Sequence, residues 1–335
     1  MNTNVKKRVL VTGATGFLGS KLCEYLKNKN FEVVATGRNE EKGSILKAQG
    51  FDFIQADLSI DNLVQKFINI DYVIHCAALS SPWGSYKNFY SSNVIATQKV
   101  AEFCLNNNIR MVHISSPSIY FEFKDKFDIK ENEDIYPTKK INYYAETKYL
   151  SEKTVDEFYK KGLNVITLRP RAIFGVGDTT LIPRLFKANN TKFIPLIRKN
   201  DIKIDITHVD NVCEAIYLSL QCNEKFFGNK YNVTNDEPIY LIPFLKDIIT
   251  NCGYKFNGKN LPFFIIYIYA HYLEFIHKFI LKYAEPPITK YSIGVLAFSQ
   301  TLNIDKIKAD LGYKPIKNIE QGKIELVEWL KNEKK

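Results

Sequence analysis

The chain has 335 residues, 45% hydrophobic and 24% charged, a composition that suits a globular protein and excludes a disordered one. Its formal net charge is +10, yet the lysines are scattered and the longest basic cluster is Lys6-Lys7-Arg8. With no zinc-finger spacing and no RNP-type motif, a nucleic-acid partner is not expected; a basic surface would help attract an anionic cofactor.

In chain order, Arg8–Thr12 reads as a short β-branched strand, and glycines follow at 13, 16 and 19. A helix is predicted over Ser20–Asn28, with Leu22, Tyr25 and Leu26 at helical spacing. Further strands are predicted at Phe31–Thr36, Asp52–Gln55, Asp71–Cys76, Met111–Ser115 and Asn164–Leu168. Helices are predicted at Asn93–Leu105 and Tyr143–Tyr159. Alternating strands and helices predict an α/β fold, a doubly wound parallel sheet with helices on both faces. The rhythm weakens after Gly175, so a smaller C-terminal substrate-binding region is expected there. Leu261–Leu273 is almost wholly apolar but shorter than the roughly 20 residues a spanning helix needs. It reads first as a substrate-pocket helix, with Phe263–Tyr269 as an apolar wall, and second as a helix on a membrane surface. The run also suits a core or a dimer seam.

The six cysteines show no CxxC spacing, and no metal site is expected. Cysteines in apolar segments and the lack of an apolar stretch before the first strand point to a reducing cytoplasm.

Gly13-Ala14-Thr15-Gly16-Phe17-Leu18-Gly19 lies between the first strand and the first helix. There Gly13 permits a tight turn, Gly16 admits a pyrophosphate to the backbone, and Gly19 allows close helix–strand packing. The helix N-terminus offers unpaired N–H groups to phosphate. The second strand ends in Thr36-Gly37-Arg38, without the acidic residue that binds a ribose 2′-hydroxyl. Arg38 suits a 2′-phosphate, which favours NADP(H) over NAD(H), or is an ordinary surface arginine. Asp57-Leu58 follows the third strand, to meet an adenine edge or to cap a turn.

Tyr144 and Lys148 stand at i and i+4, on one face of the predicted helix. A phenol with a pKa of about 10 is a poor base, and a nearby ammonium lowers it. Such a pair exchanges a proton with an alcohol or carbonyl oxygen while hydride moves to or from nicotinamide, and the lysine also binds ribose hydroxyls. Ser115-Ser116-Pro117-Ser118 closes the fifth strand, where ligands gather in a doubly wound sheet. Ser116 suits the substrate oxygen, or serves only the turn.

These motifs in this order resemble the extended short-chain dehydrogenase/reductase family: GATGFLG, Asp57-Leu58, His75-Cys76-Ala77-Ala78, Asn93, the serine strand end, YAETK and Leu168–Asp178. The resemblance spans nearly the whole chain. It implies a Rossmann domain over 1–178, with 202–235 returning to it, and a substrate region over 179–201 and 236–335. It implies catalytic Ser116, Tyr144 and Lys148. It implies cofactor contacts from the glycine turn, Arg38, Asp57, Leu58, Ala77, Ala78, Asn93, Lys148 and Pro170. At Asn93 the family carries an asparagine that supports the active-site fold. His208–Val212 matches a late segment that shapes the site. A homodimer is also implied.

Within that family, Ser116–Phe121 lacks the glycine typical of nucleotide-sugar epimerases and dehydratases. Ser81–Tyr86, Leu181–Leu185, Glu285–Tyr291 and Asn303–Tyr313 resemble the 3β-hydroxysteroid dehydrogenase and 2-alkyl-3-oxoalkanoate reductase branch. The expected substrate is therefore lipid-like or steroid-like. Ser118, Arg171 and Arg184 are candidate substrate residues, the two arginines for a carboxylate or as members of structural ion pairs. A nucleotide-sugar epimerase or dehydratase is the alternative. A noncatalytic cofactor sensor is a further one, against which the Ser116/Tyr144/Lys148 set speaks.

Overall fold

The computed structural model describes residues 6–131, 136–179, 182–191, 193–198 and 201–332. Leu181 of the quoted motifs lies outside them. Seven strands form one parallel sheet: β1 (Arg8–Thr12), β2 (Glu32–Gly37), β3 (Asp52–Gln55), β4 (Tyr72–His75), β5 (Arg110–Ile114), β6 (Val165–Pro170) and β7 (Lys230–Val233). Their order across the sheet is β7-β6-β5-β4-β1-β2-β3. Every neighbouring pair is parallel, as in Leu10 opposite Val34 and His75 opposite His113.

Alternate residues of the strands feed two cores. Val9, Val11, Ile74, Val112 and Ile166 pack under α1 (Phe17–Asn28) and α5 (Val209–Gln221). Leu10, Val34, Val73, Met111 and Val165 pack under α3 (Ala96–Asn106) and α4 (Tyr143–Lys160). Both faces are covered, which is why the strands read as unbroken apolar runs.

Two local features differ from the expected elements. An additional helix, α2 (Glu40–Ala48), follows β2: the Asn39 side chain accepts from Lys42 N–H at 2.8 Å, and Glu40 and Glu41 sit in its first turn. The helix expected to start at Asn93 begins earlier, at Tyr86, and passes through a π turn at Ser91–Ile95 before α3. Such turns mark sites where a helix must redirect a side chain.

A third core holds Phe174, Ile204, Phe244, Ile248 and Leu326 and carries a small mixed sheet of 239–240, 203–204, 300–302 and 126–129. Above it lie α6 (Phe263–Phe279) and α7 (Lys290–Ala297). Among the described residues no helix is long and apolar enough to cross a membrane.

Candidate active site

The carboxyl ends of β1, β2, β4, β5 and β6 open into a cleft of about 1010 Å³. On one side the glycine turn makes its wall. Gly13 has φ +67°, and Gly16 N–H donates to Gly13 O at 2.9 Å. A Cβ on Gly19 would lie 2.3 Å from Gly13 O, so the helix closes on the turn only with glycine there. Gly16 caps α1 with no side chain bonded to the first-turn N–H groups. Those donors border the cleft beside Gly13, Thr15, Phe17, Leu18 and Gly19, an arrangement that suits a dinucleotide pyrophosphate.

Arg38, Asn39, Asp57 and Leu58 line the same end. Burial opposes ionisation of Asp57, but the Ser59 hydroxyl and N–H, helped by the Arg38 and Lys99 charges, hold it below the usual carboxylate range. Cys76, Ala77 and Ala78 form the floor, and Pro170 lies opposite.

A buried relay supports that floor. Ala77 N–H donates to Thr12 Oγ1 at 3.2 Å, and Thr12 Oγ1 lies 2.9 Å from His75 Nδ1. His75 Nε2 lies 3.0 Å from Thr97 Oγ1, which donates to Asn93 O at 2.6 Å. Because Thr97 Oγ1 spends its proton on Asn93 O, His75 Nε2 must carry a proton, and in the neutral ring Nδ1 accepts from Thr12. Burial, reinforced by Lys148, pulls the His75 pKa down to about 3.

Ser116, Tyr144 and Lys148 meet in the cleft, on the far side from the glycine turn's adenine end. Asn142 caps α4 by accepting from Ala145 N–H at 2.9 Å, which sets the helix phase. Tyr144 is half-buried in the cleft wall, and desolvation raises its pKa; the hydroxyls of Ser116 and Ser80 bond it and act in the opposite sense. The expected lowering by Lys148 is replaced by this arrangement. The Lys148 ammonium donates to Ile114 O at 2.6 Å, and burial pulls its pKa down to about 8 against the charge of Glu152. The phenol is thus held protonated at neutral pH.

Three expectations about site residues need correction. Asn93 lies buried behind the cleft lining, with its oxygen and both its N–H groups bonded to protein rather than facing the cofactor end. Leu79 N–H donates to its Oδ1 at 2.7 Å, and its Nδ2 donates to Leu79 O at 3.3 Å and Thr147 Oγ1 at 3.0 Å. It ties the segment after β4 to α4, between Tyr144 and Lys148. Ser118 lies outside the cleft lining, because the 3-10 turn Pro117–Tyr120 carries it inward; its N–H donates to Ser116 Oγ at 3.2 Å. Phe263–Tyr269 is likewise not the pocket wall. That role falls to α7, through Tyr291, Ser292, Val295 and Leu296.

Arg171 and Arg184 both border the cleft but differ in setting. Arg184 sits at the rim, half exposed and 3.3 Å from Glu285. Arg171 is buried, its Nε has no hydrogen-bond partner, and burial lowers its pKa against the influence of Tyr291 and Asp205. Sequence reasoning missed Ser80 and Tyr291 as site residues. Ser80 follows the quoted His75–Ala78 segment and Tyr291 ends another quoted motif, but neither carried a signal of its own. Near the His208 segment, His208, Asp210 and Glu325 cluster, and Lys317 Nζ binds both carboxylates at 2.9 and 2.6 Å.

The lowered Lys148 pKa makes a prediction with a definite sign. From about pH 6 to about pH 8 the ammonium persists and kcat/KM should hold level; above about 8 it should fall as Lys148 loses its proton. A profile flat to about pH 10 would contradict a role for the charged lysine.

A model of the NAD dependent epimerase/dehydratase family matches residues 9–234. YbjS of Escherichia coli (strain K12) is 32% identical over 97% of this chain and 98% of its own. The 2-alkyl-3-oxoalkanoate reductase of Shewanella oneidensis is 29% identical over 93% of this chain and 83% of its own. Among solved structures, UDP-glucuronic acid 4-epimerase from Bacillus cereus in complex with NAD superposes with a TM-score of 0.75. It is 22% identical and covers 98% of this chain and 100% of that one, a likeness of fold.

Proposed function

The chain belongs to the NAD dependent epimerase/dehydratase family and is an NAD(P)-dependent oxidoreductase of the extended short-chain dehydrogenase/reductase type. On that footing we propose that it reduces the 3-oxo group of a lipid-like or steroid-like acid, with NADPH as the preferred reductant. One observation carries this reading. The cleft that holds Ser116, Tyr144 and Lys148 continues into a wall of Ile173, Leu185, Val295 and Leu296, into which the buried Arg171 is set beside Tyr291. An apolar wall with one desolvated cation suits a greasy carboxylate. The name of the Shewanella relative, an oxoalkanoate reductase, supports the same substrate class.

A bound nicotinamide supplies the hydride. Tyr144, kept protonated by burial, gives its proton from Oη to the oxygen that gains charge as hydride arrives. The Ser116 hydroxyl donates to that oxygen and lines it up with Tyr144. Lys148 would hold a ribose hydroxyl of a bound cofactor with an N–H left over from its bond to Ile114 O. Asn93 and Thr147 keep the two sides of the site in register.

The test follows nicotinamide absorbance with NADPH or NADH, a 3-oxo acid and its methyl ester. Steady oxidation with the acid is expected. No consumption with any 3-oxo lipid, together with interconversion of a UDP-sugar, would transfer the chain to the nucleotide-sugar class. Two substitutions sharpen the result. Arg171→Gln should raise KM for the acid roughly tenfold or more and leave the ester unaffected, because a charged hydrogen bond contributes about 1.5–3 kcal/mol. By the same magnitude Arg38→Ala should raise KM for NADPH roughly tenfold or more with NADH unchanged. Equal losses for both cofactors would place Arg38 in a merely structural role with Asp57.

A further inference from the structure

Nine of the twenty exposed large apolar side chains among the described residues lie between Phe264 and Leu281. Phe264, Ile268, Tyr272, Phe275 and Phe279 recur every three or four residues, so they share one face of α6. At about 1.5 Å per residue that stripe runs roughly 22 Å. The opposite face is spent inside the protein, where Ile266 and Ala270 pack against Ile293 of α7.

We propose that this face lies on an anionic lipid bilayer, with the mouth of the reaction cleft beside it. Charge selects the occupant. Residues 255–283 contain Lys255, Lys259, Lys278 and Lys282 against one carboxylate, Glu274. Glu274 is taken up by Lys290, through Nζ at 3.1 Å and the backbone N–H at 2.7 Å. The apolar face is thus flanked in sequence by lysines on both sides, with Lys278 held against the Tyr143 hydroxyl at 3.4 Å and Lys282 exposed, the composition that binds an anionic interface. A second copy fits less well. Two such faces paired about a two-fold axis would bring lysine ends against lysine ends. Tyr269 and Tyr272 add phenols that suit the headgroup level.

The position of the face gives the docking a use. α7 packs beneath α6 and lines the cleft with Tyr291, Val295 and Leu296. Just past α6, the Tyr283 ring packs 6.2 Å from Trp83, next to Ser81 and Pro82 of the cleft lining. Glu285 meets Arg184 at the rim. A lipid substrate then passes from bilayer to cleft without crossing bulk water. This use rests on the lipid reading above; the docking itself does not.

The experiment sediments the purified full chain with phosphatidylcholine vesicles, with and without phosphatidylglycerol. Partition into the anionic vesicles should be at least roughly tenfold higher, and Ile268→Glu/Phe275→Glu should abolish it. Lys282→Glu should lower it roughly fivefold. Both variants should reduce a short-chain soluble 3-oxo acid at the wild-type rate, which shows that they fold. Sedimentation needs no turnover, so an inactive but vesicle-bound protein would overturn the reductase reading alone. Absence of binding to either vesicle would overturn the membrane proposal. Equal binding to both would remove its charge argument. An oligomer split by Ile268→Glu/Phe275→Glu, without vesicle binding, would give the face to a second copy.

Discussion

Tyr144→Phe should lower turnover roughly 10²–10⁴-fold while leaving cofactor affinity within about twofold. The substitution removes a single oxygen from a half-buried ring at the cleft wall whose hydroxyl bonds Ser116 and Ser80. Hydride transfer then leaves a charged oxygen with Ser116 as its remaining donor and no group placed to supply a proton. The proposed cofactor contacts are elsewhere, on the glycine turn and around Lys148, so nicotinamide fluorescence titration should change little. Steady-state rates and that titration on the same preparation separate the two effects. Full activity in the variant would end the proposed mechanism. A large loss of cofactor affinity would make Tyr144 a structural support of the site.

Arg169→Met should destabilise the fold by about 3–5 kcal/mol. The guanidinium is fully buried behind the cleft, with Nε 2.8 Å from Glu152 Oε1 and Nη2 2.5 Å from Oε2. It also donates to the hydroxyls of Tyr120 and Tyr136. Methionine fills much of the volume but leaves the Glu152 carboxylate buried, with Lys230 at 4.0 Å and the charge of Lys148 one turn away as its remaining cations. Lys230 is already engaged by Asp156 at 2.8 Å. Breaking such a pair costs more than replacing it, so Arg169→Met/Glu152→Met should recover more than half of the loss.

The pH dependence has a determined sign. Against burial, Arg169 holds Glu152 below its ordinary 4.5, so the pair contributes stability above about that pH and loses it as pH falls further. In Arg169→Met the unpaired carboxylate takes up a proton more readily, and the gap to wild type should narrow with acidification. Urea midpoints at neutral pH and near pH 4.5 measure this; a gap that widens in acid would contradict it.

Local patterns made much of the fold legible. The strands at β1 and β5 stand within one residue of where their apolar runs place them, because a strand buried on both faces reads as a largely apolar run, and the short edge strand β3 stands where it is expected too. α2 was not legible in the same way: its apolar periodicity is slight, and the Asn39 cap with two glutamates in the first turn was its signal. The π turn before α3 leaves no mark on a periodicity, since it changes the phase of one turn only.

By itself the sequence determined the glycine turn, the absence of an acidic residue after β2, and the i, i+4 pairing of Tyr144 with Lys148. Each is a relation between residues a few positions apart, and backbone geometry alone converts such spacing into a shape. Only the tertiary structure decided what lies far apart in the chain. It turned Asn93 into a brace between Leu79 and Thr147 and moved Ser118 out of the cleft. It set Tyr291 beside Arg171, and it faced α6 outward while α7 took the pocket wall. A short-range pattern says that a helix has an apolar face; which neighbour covers that face, or whether any does, depends on packing across the whole molecule.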